Sequence, residues 1–209
     1  MVILDLKQGE DAWRQARLEK VSGTRLGDAI GTTIKQNSLI DILVAEMLTG
    51  EAKEMVASLA MKLGTEAEDF GIQEYEELTG EITETIGLCV SEELPWLVCS
   101  PDRLIKRDGK YRKAVEVKSP NPETAVKYIR GDKIPKEYQA QVLNYFLVNP
   151  DLEELDFVVY SPKIQNQYRV WIKNITRQEL EDEIVEATEK LKKFREKWEG
   201  VLQELNFSI

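Results

Sequence analysis

The sequence predicts an α/β domain in which a mixed central β-sheet carries helices on both faces, and three observations support that expectation. Helical and strand patterns come in blocks along the 209 residues: helices, a three-strand run, two helices, two further strands and one long helix. Hydrophobic residues make up 42% of the chain, enough for a substantial core, so a single domain over residues 1–209 is the simplest organisation. No internal repeat, low-complexity tract or linker divides it.

The elements follow in order. Gln8-Gly9-Glu10-Asp11-Ala12-Trp13 leads into a helix-like stretch through Lys20, with Trp13, Ala16 and Leu18 available to turn inward. Ser22-Gly23-Thr24 reads as a helix start, because serine and threonine favour N-caps. The free N–H groups there serve either ordinary capping or an anion cradle flanked by Arg17 and Arg25. Leu39, Ile42, Leu43 and Met47 recur at helical spacing between Gln36 and Thr49 and stop at Gly50. A longer helical pattern runs from Met55 through Leu78, with a break expected near Gly64 and an end at Thr79-Gly80. Glu68 lies on it, near Phe70, Ile72 and Tyr75, and a helical glutamate is solvated by default.

Strand patterns occupy Ile82 to Val90, Leu97 to Ile105 and Tyr111 to Lys118. Helices are expected from Pro122 to Arg130 and from Pro135 to Val148, each with proline in its first turn, where the missing N–H costs little. Phe157 to Tyr160 and Tyr168 to Ile172 form a second strand pair. The last helix runs from Thr176 to Leu205, with Leu180, Ile184, Ala187, Leu191, Phe194 and Trp198 as an apolar stripe packed on the domain.

Composition removes whole classes of chemistry. There is no histidine, which excludes His-dependent triads, His-ligated zinc and His general bases. Cys89 and Cys99 are the only cysteines; both sit among apolar neighbours and read as buried structural thiols, and two thiolates cannot complete a four-thiolate cluster. No apolar run approaches the ~20 residues that span a bilayer. Met1-Val2-Ile3-Leu4-Asp5 is too short and wrongly flanked for a signal peptide, so a cytoplasmic location and no membrane partner are expected. A net charge of -10 argues against a protein that coats DNA by bulk electrostatics. The acids concentrate in a few segments, however, and Arg14 to Arg25, Arg103 to Lys118 and Lys127 to Lys136 leave room for a local basic path.

The chemistry-bearing stretch is Ser100-Pro101-Asp102-Arg103-Leu104-Ile105 followed by Glu116-Val117-Lys118. Arg107-Asp108-Gly109-Lys110 between them is a turn signal, so the two segments read as a hairpin. Side chains two apart on a strand share a face, which points Glu116 and Lys118 the same way and brings Asp102 beside them. Clustered carboxylates repel unless a hard cation such as Mg²⁺ neutralises them, and the cation then activates water. Lys118 would orient or deprotonate that water, or stabilise charge on a phosphorane-like transition state. The alternative is a surface hairpin with an exposed Glu/Lys pair, which a chain that is 32% charged makes common.

Ser-Pro-Asp-x-Leu followed by Glu-x-Lys-x-Pro resembles the metal-binding core of the PD-(D/E)xK nuclease superfamily. Within it, the chain is similar to the λ exonuclease and YqaJ-like viral recombinase family. Five pieces in the right order carry the resemblance. They are Gly9, Trp13 and Arg17 with the Ser22 to Thr24 turn; Gly64-x-x-x-Glu68 with Tyr75-Glu76 and Thr79-Gly80; Ser100-Pro101-Asp102; Glu116-Val117-Lys118-Ser119-Pro120; and Tyr138-x-x-Gln141.

The resemblance implies a restriction-endonuclease-like fold. It makes Asp102 and Glu116 direct metal ligands, with the Val117 carbonyl as a third, Glu68 holding a metal or its water, Lys118 orienting water, and Gln141 holding a phosphate or the nucleophile. Arg17, Thr24 and Ser100, with Ser22 nearby, match a pocket for a terminal 5′-phosphate. The implied reaction is hydrolysis of the 5′-ended strand of linear double-stranded DNA from 5′ to 3′, releasing mononucleotides and leaving 3′ overhangs. Two Mg²⁺ ions about 4 Å apart would share Asp102, with Mn²⁺ as a substitute. The family further implies a homotrimeric ring whose central channel lets an acidic exterior coexist with a more basic lumen, a single-strand annealing protein as partner, and a phage or prophage source in a bacterial host.

This chain departs from the pattern in three places. The interval from Asp102 to Glu116 is wider than in λ exonuclease, giving a longer hairpin able to reach DNA or a neighbouring subunit; Arg103 stands where the family often has glycine; and Thr24 adds a methyl to a hydroxyl position. Two other readings remain open at this level: a structure-specific DNA endonuclease of the same superfamily, and a non-catalytic DNA-binding recombination scaffold.

Overall fold

A computed structural model describes residues 1–52 and 59–206, so the predicted helix start at Met55 lies outside the described residues. The mixed α/β architecture is as expected, with its strands divided between two sheets. β1 (Val2–Leu4), β2 (Leu88–Val90) and β3 (Val98–Cys99) form an antiparallel sheet in that order. β4 (Arg103–Arg107), β5 (Lys110–Lys118), β6 (Glu154–Tyr160) and β7 (Val170–Thr176) form the second. Here β4–β5 and β6–β7 are antiparallel and β5–β6 is parallel. A parallel pair needs a long crossover, and α5 (Pro122–Gly131) with α6 (Lys136–Val148) supplies it.

The expected strand from Leu97 to Ile105 is two strands in different sheets. Pro101 has no N–H to give to a ladder, so pairing stops and the chain crosses from β3 to β4 at Ser100-Pro101-Asp102. Asp102 therefore stands at the junction of the sheets. Of the stretch Ile82 to Val90 only the last three residues are strand, with Glu84 making one isolated bridge to Leu104. β1 is an addition, its three residues too few to show a period. At the other end β7 runs through Thr176, where a helix start is expected; a 3-10 turn (Gln178–Leu180) intervenes and α7 (Glu181–Glu204) follows.

Strand alternation divides the core. Leu104, Ala114, Leu155, Phe157 and Val159 face α2 (Gly23–Ala29), α3 (Thr33–Thr49), α6 and α7 in the larger cluster, which includes Leu26, Leu43, Phe146 and Trp198. Ala187, Leu191, Phe194 and Trp198 of the predicted α7 stripe are buried there. Ile105, Val115, Val117, Val158 and Tyr160 face the other way, onto Ile72 and Tyr75 of α4 (Leu59–Thr79), which passes through Gly64 without a break. Tyr75 anchors α4 to the sheet: its hydroxyl donates to Asp156 at 2.7 Å, and Lys113 Nζ lies 2.7 Å from the same carboxylate.

The close seat of α4 depends on Gly71. A Cβ there would lie 2.7 Å from Val117 Cγ1 and 3.0 Å from Tyr160 Cβ. Because α4 carries Glu68 over the end of β5, Gly71→Ala is expected to lift the helix and cost about 2 kcal/mol, read as a lower denaturant midpoint.

Candidate active site

Asp108 and Gly109 both take left-handed backbone angles, φ 51° and 77°, and join β4 to β5 as a two-residue turn. A one-residue bulge at Arg112 then shifts the register between Lys106–Tyr111 and Ile105–Lys113, so that Arg103 pairs with Val115 and Asp102, one residue before β4, stands against Glu116 and Val117. The Val117 N–H donates to Asp102 Oδ2 at 2.7 Å. The wider interval is ladder rather than free loop. Its tip is tied to the protein's own surface by Lys110–Asp151 at 2.7 Å, Arg107–Glu154 at 2.8 Å and Arg107–Glu81 at 2.7 Å. Arg103 reaches α4 instead, with Nη2 3.2 Å from Asp69.

Val115 and Val117 point into the α4 core, so Glu116 between them points to the opposite face, where it is 1% exposed. It is heavily partnered: Gln141 Nε2 donates to Oε1 at 2.6 Å, Lys118 Nζ lies 2.5 Å from Oε1, and the Tyr145 hydroxyl donates to Oε2. Gln141 and Tyr145 are one helical turn apart on α6 and hydrogen-bond each other at 3.1 Å. Tyr138 of the same helix sets its ring 5.4 Å from Lys118 Nζ.

The charges are interdependent. Burial, then repulsion from Glu116 and Glu68, pushes the Asp102 carboxyl well above the usual range, against the pull of Lys118 and the Val117 N–H. Burial also raises Glu68, with Glu116 and Asp69 repelling it and Lys118 favouring it. Burial disfavours the Lys118 ammonium, but Glu116, Asp102 and Glu68 together more than offset that, leaving its pKa raised. Asp102, Glu116, Lys118 and Glu68 thus share one electrostatic neighbourhood. Among the described residues no three acidic or thiol groups are drawn tightly enough to make a ready metal cage; Lys118 supplies the counter-charge at Glu116. The set fits a hard divalent cation, because its carboxyl groups are crowded together and repel one another when ionised, which a divalent charge would relieve.

A cavity of about 120 Å³ opens beside this cluster. Arg17, Ser22, Thr24 and Ser100, all expected in one pocket, line it together with Gln8, Trp13, Gln141 and Tyr145. α1 (Asp11–Ala16) stops short of the expected Lys20, leaving Arg17 as its C-cap. The Arg17 guanidinium stacks 4.0 Å over the Trp13 ring, and Trp13 Nε1 donates to Ser100 Oγ at 3.1 Å. Ser22 takes the N-cap position of α2 without capping it; its hydroxyl is instead 3.1 Å from that of Thr24. Burial lowers the Arg17 pKa and so does Arg25, with Tyr145 and Glu46 opposing. Gly23 lets α2 meet α6, since a Cβ there would lie 3.0 Å from Gln141 Cγ. Tyr145 is the side chain that the sequence reading leaves out, and Trp13 reads there as an inward-turning motif residue without a role in the pocket; each stands one helical turn from a predicted site residue. Cys89 and Cys99 face each other across β2 and β3 as free, buried thiols.

This mixed sheet, with acids at the β3–β4 junction and on β5 served by flanking helices, defines a restriction-endonuclease-like fold of the alkaline-exonuclease type. Residues 12–149 match the model of the YqaJ-like viral recombinase domain, and the chain belongs to that family. It is similar to the crystal structure of an alkaline exonuclease (LHK-Exo) from Laribacter hongkongensis, with a TM-score of 0.78 and 26% identity over 94% of this chain and 98% of that one. The complex of LHK-Exo with dAMP matches equally. No curated protein matches the chain. Among the described residues no helix is long and apolar enough to cross a membrane.

Proposed function

We propose that the protein is a Mg²⁺-dependent exonuclease that degrades the 5′-ended strand of linear double-stranded DNA from 5′ to 3′, releasing mononucleotides and leaving 3′ overhangs. The observation that carries this reading is that Gln141 and Tyr145 serve two places at once: both hydrogen-bond Glu116, and both line the cavity of Arg17, Ser22, Thr24 and Ser100. An anion seated in that cavity would lie against the acidic cluster. An exonuclease needs such a measure of where the chain ends, and charge-assisted hydrogen bonds to a terminal phosphate supply it. The binding of dAMP by LHK-Exo supports a mononucleotide product.

In this reading Asp102, Glu116, the Val117 carbonyl and Glu68 hold Mg²⁺, two ions by analogy with the family and Mn²⁺ as a substitute. When bound, the metal acidifies water and offsets charge on the phosphate. Gln141 and Tyr145 fix the Glu116 carboxylate, which keeps it from rotating away. Lys118 orients the attacking water with its ammonium and steadies the negative charge that develops beside it. Arg17, Thr24, Ser22 and Ser100 seat the 5′-phosphate, which sets the scissile bond one nucleotide inside the end. Membership of the viral recombinase family supports a homotrimeric ring, a single-strand annealing partner, and work in the cytoplasm of a bacterium carrying a phage or prophage.

Linear duplex with 5′-phosphorylated ends should lose mononucleotides with Mg²⁺ and resist with chelator, while covalently closed circular plasmid stays intact. Nicking or linearising of the circle would establish an endonuclease instead. Arg17→Ala is expected to reduce the ratio of kcat/KM between phosphorylated and hydroxyl 5′ ends by about tenfold or more. Equal wild-type rates on the two ends would remove the pocket assignment.

A further inference from the structure

The loop between α1 and α2 carries Arg17 at one end and Ser22 at the other, so the cavity depends on how that loop is held. On its far side Val21 is fixed by backbone bonds, its N–H to Trp96 O at 2.8 Å and its carbonyl accepting from Val98 N–H at 3.0 Å. On the near side the hold centres on a buried ion pair between α3 and α2. Glu46 of α3 is 2% exposed and accepts the Glu19 N–H through Oε2 at 3.1 Å. The same carboxylate takes both arms of the Arg25 guanidinium, Nη1 to Oε2 at 2.9 Å and Nη2 to Oε1. Arg25 Nη1 in turn donates to Lys20 O at 3.0 Å. Glu19 itself has φ 56°, a left-handed conformation that a side chain adopts only when its surroundings enforce it.

The charges follow the same pattern. Arg25 is close enough to oppose the charge on Arg17, and Glu46 supports it. Without the Glu46 carboxylate, the charge of Arg25 would oppose that of Arg17 with less to offset it, and the Glu19 N–H would lose its buried acceptor. We propose that Glu46 is the positioning residue of the terminal-phosphate pocket: it neutralises Arg25 and clamps the loop, so that Arg17 is aimed into the cavity before DNA arrives. This rests on the phosphate pocket of the proposed function. It predicts a pocket built in advance by a side chain that never touches the substrate.

The test is steady-state cleavage of one linear duplex with 5′-phosphate or 5′-hydroxyl ends by wild type, Glu46→Gln, Arg25→Lys and the double variant Arg17→Ala/Glu46→Gln. Glu46→Gln keeps the size and an acceptor for the Glu19 N–H but loses the charge. Its KM for phosphorylated ends is expected to rise about tenfold, with kcat and the hydroxyl-ended reaction within about twofold of wild type. Arg25→Lys, which keeps charge and loses the fork, should raise the same KM about threefold. The double variant should discriminate no worse than Arg17→Ala alone, because Glu46 acts through Arg17. Unchanged discrimination in both single variants would overturn the assignment, as would equal slowing on both ends, which is the mark of a merely structural residue. Should Glu46→Gln not fold, Arg25→Lys decides by the same two criteria. A wild type that ignores the phosphate would sink the pocket reading before any variant is made, so the two failures are distinguishable.

Discussion

Asp102→Asn is expected to slow release of mononucleotides from 5′-phosphorylated duplex by about a thousandfold or more, roughly 4 kcal/mol of lost transition-state stabilisation. The substitution is nearly isosteric, and an amide oxygen can still accept the Val117 N–H that Asp102 Oδ2 takes at 2.7 Å. What disappears is a buried negative charge at the centre of the proposed metal set. Stability should move the other way. Burial and the neighbouring Glu116 and Glu68 raise the Asp102 pKa in the folded protein above its unfolded value of about 3.9. Between those two values the folded state binds more protons than the unfolded one, so stability falls as pH rises through that window. In chelator, then, the wild type should lose stability relative to Asp102→Asn as pH rises above about 4. Added Mg²⁺ should raise the wild-type unfolding midpoint and leave that of Asp102→Asn nearly unmoved, since a ligand stabilises only the state that binds it. A variant cleaving within tenfold of wild type would remove Asp102 from the centre.

How much of this was legible in the sequence varies residue by residue. The hairpin is local: Asp108-Gly109 and the flanking strand residues specify it, but the turn alone would set Asp102 against Val115, and it is the extra residue in β5 at Arg112, a shift that alternation does not announce, that brings Asp102 against Glu116. The division of Leu97 to Ile105 between two sheets was also legible in principle, because Pro101 interrupts any ladder, but alternation alone reads across it. β1 pairs with a strand some 85 residues away, and nothing within Val2–Leu4 announces that partner. The cavity is a third case. Arg17, Thr24 and Ser100 come from three separate elements, and only resemblance to a family groups them in advance; their meeting depends on α2 settling on α6 at Gly23 and Gln141. Tyr145 was within reach, being i+4 from Gln141. A tyrosine on a helix otherwise reads as core, and it is in fact buried.

Lys118→Ala should separate chemistry from binding. The cleavage rate is expected to fall about a thousandfold, while affinity for a 5′-phosphorylated end, measured by anisotropy in Mg²⁺, stays within about threefold of wild type. The separation follows from where the charge sits. Lys118 Nζ lies 2.5 Å from Glu116 Oε1, whereas the terminal phosphate is assigned to Arg17, Thr24, Ser22 and Ser100 on the other side of Gln141 and Tyr145. Removing the ammonium leaves Glu116 and Asp102 buried without their nearest cation, which should destabilise the metal-free protein by about 3 kcal/mol. Mg²⁺ should restore most of that stability by taking over the neutralisation, yet restore little of the rate, because the water-orienting role proposed for the ammonium would go unfilled. Recovery of both by the metal would reduce Lys118 to a counter-charge for Glu116, and recovery of neither would make it a structural element of the hairpin.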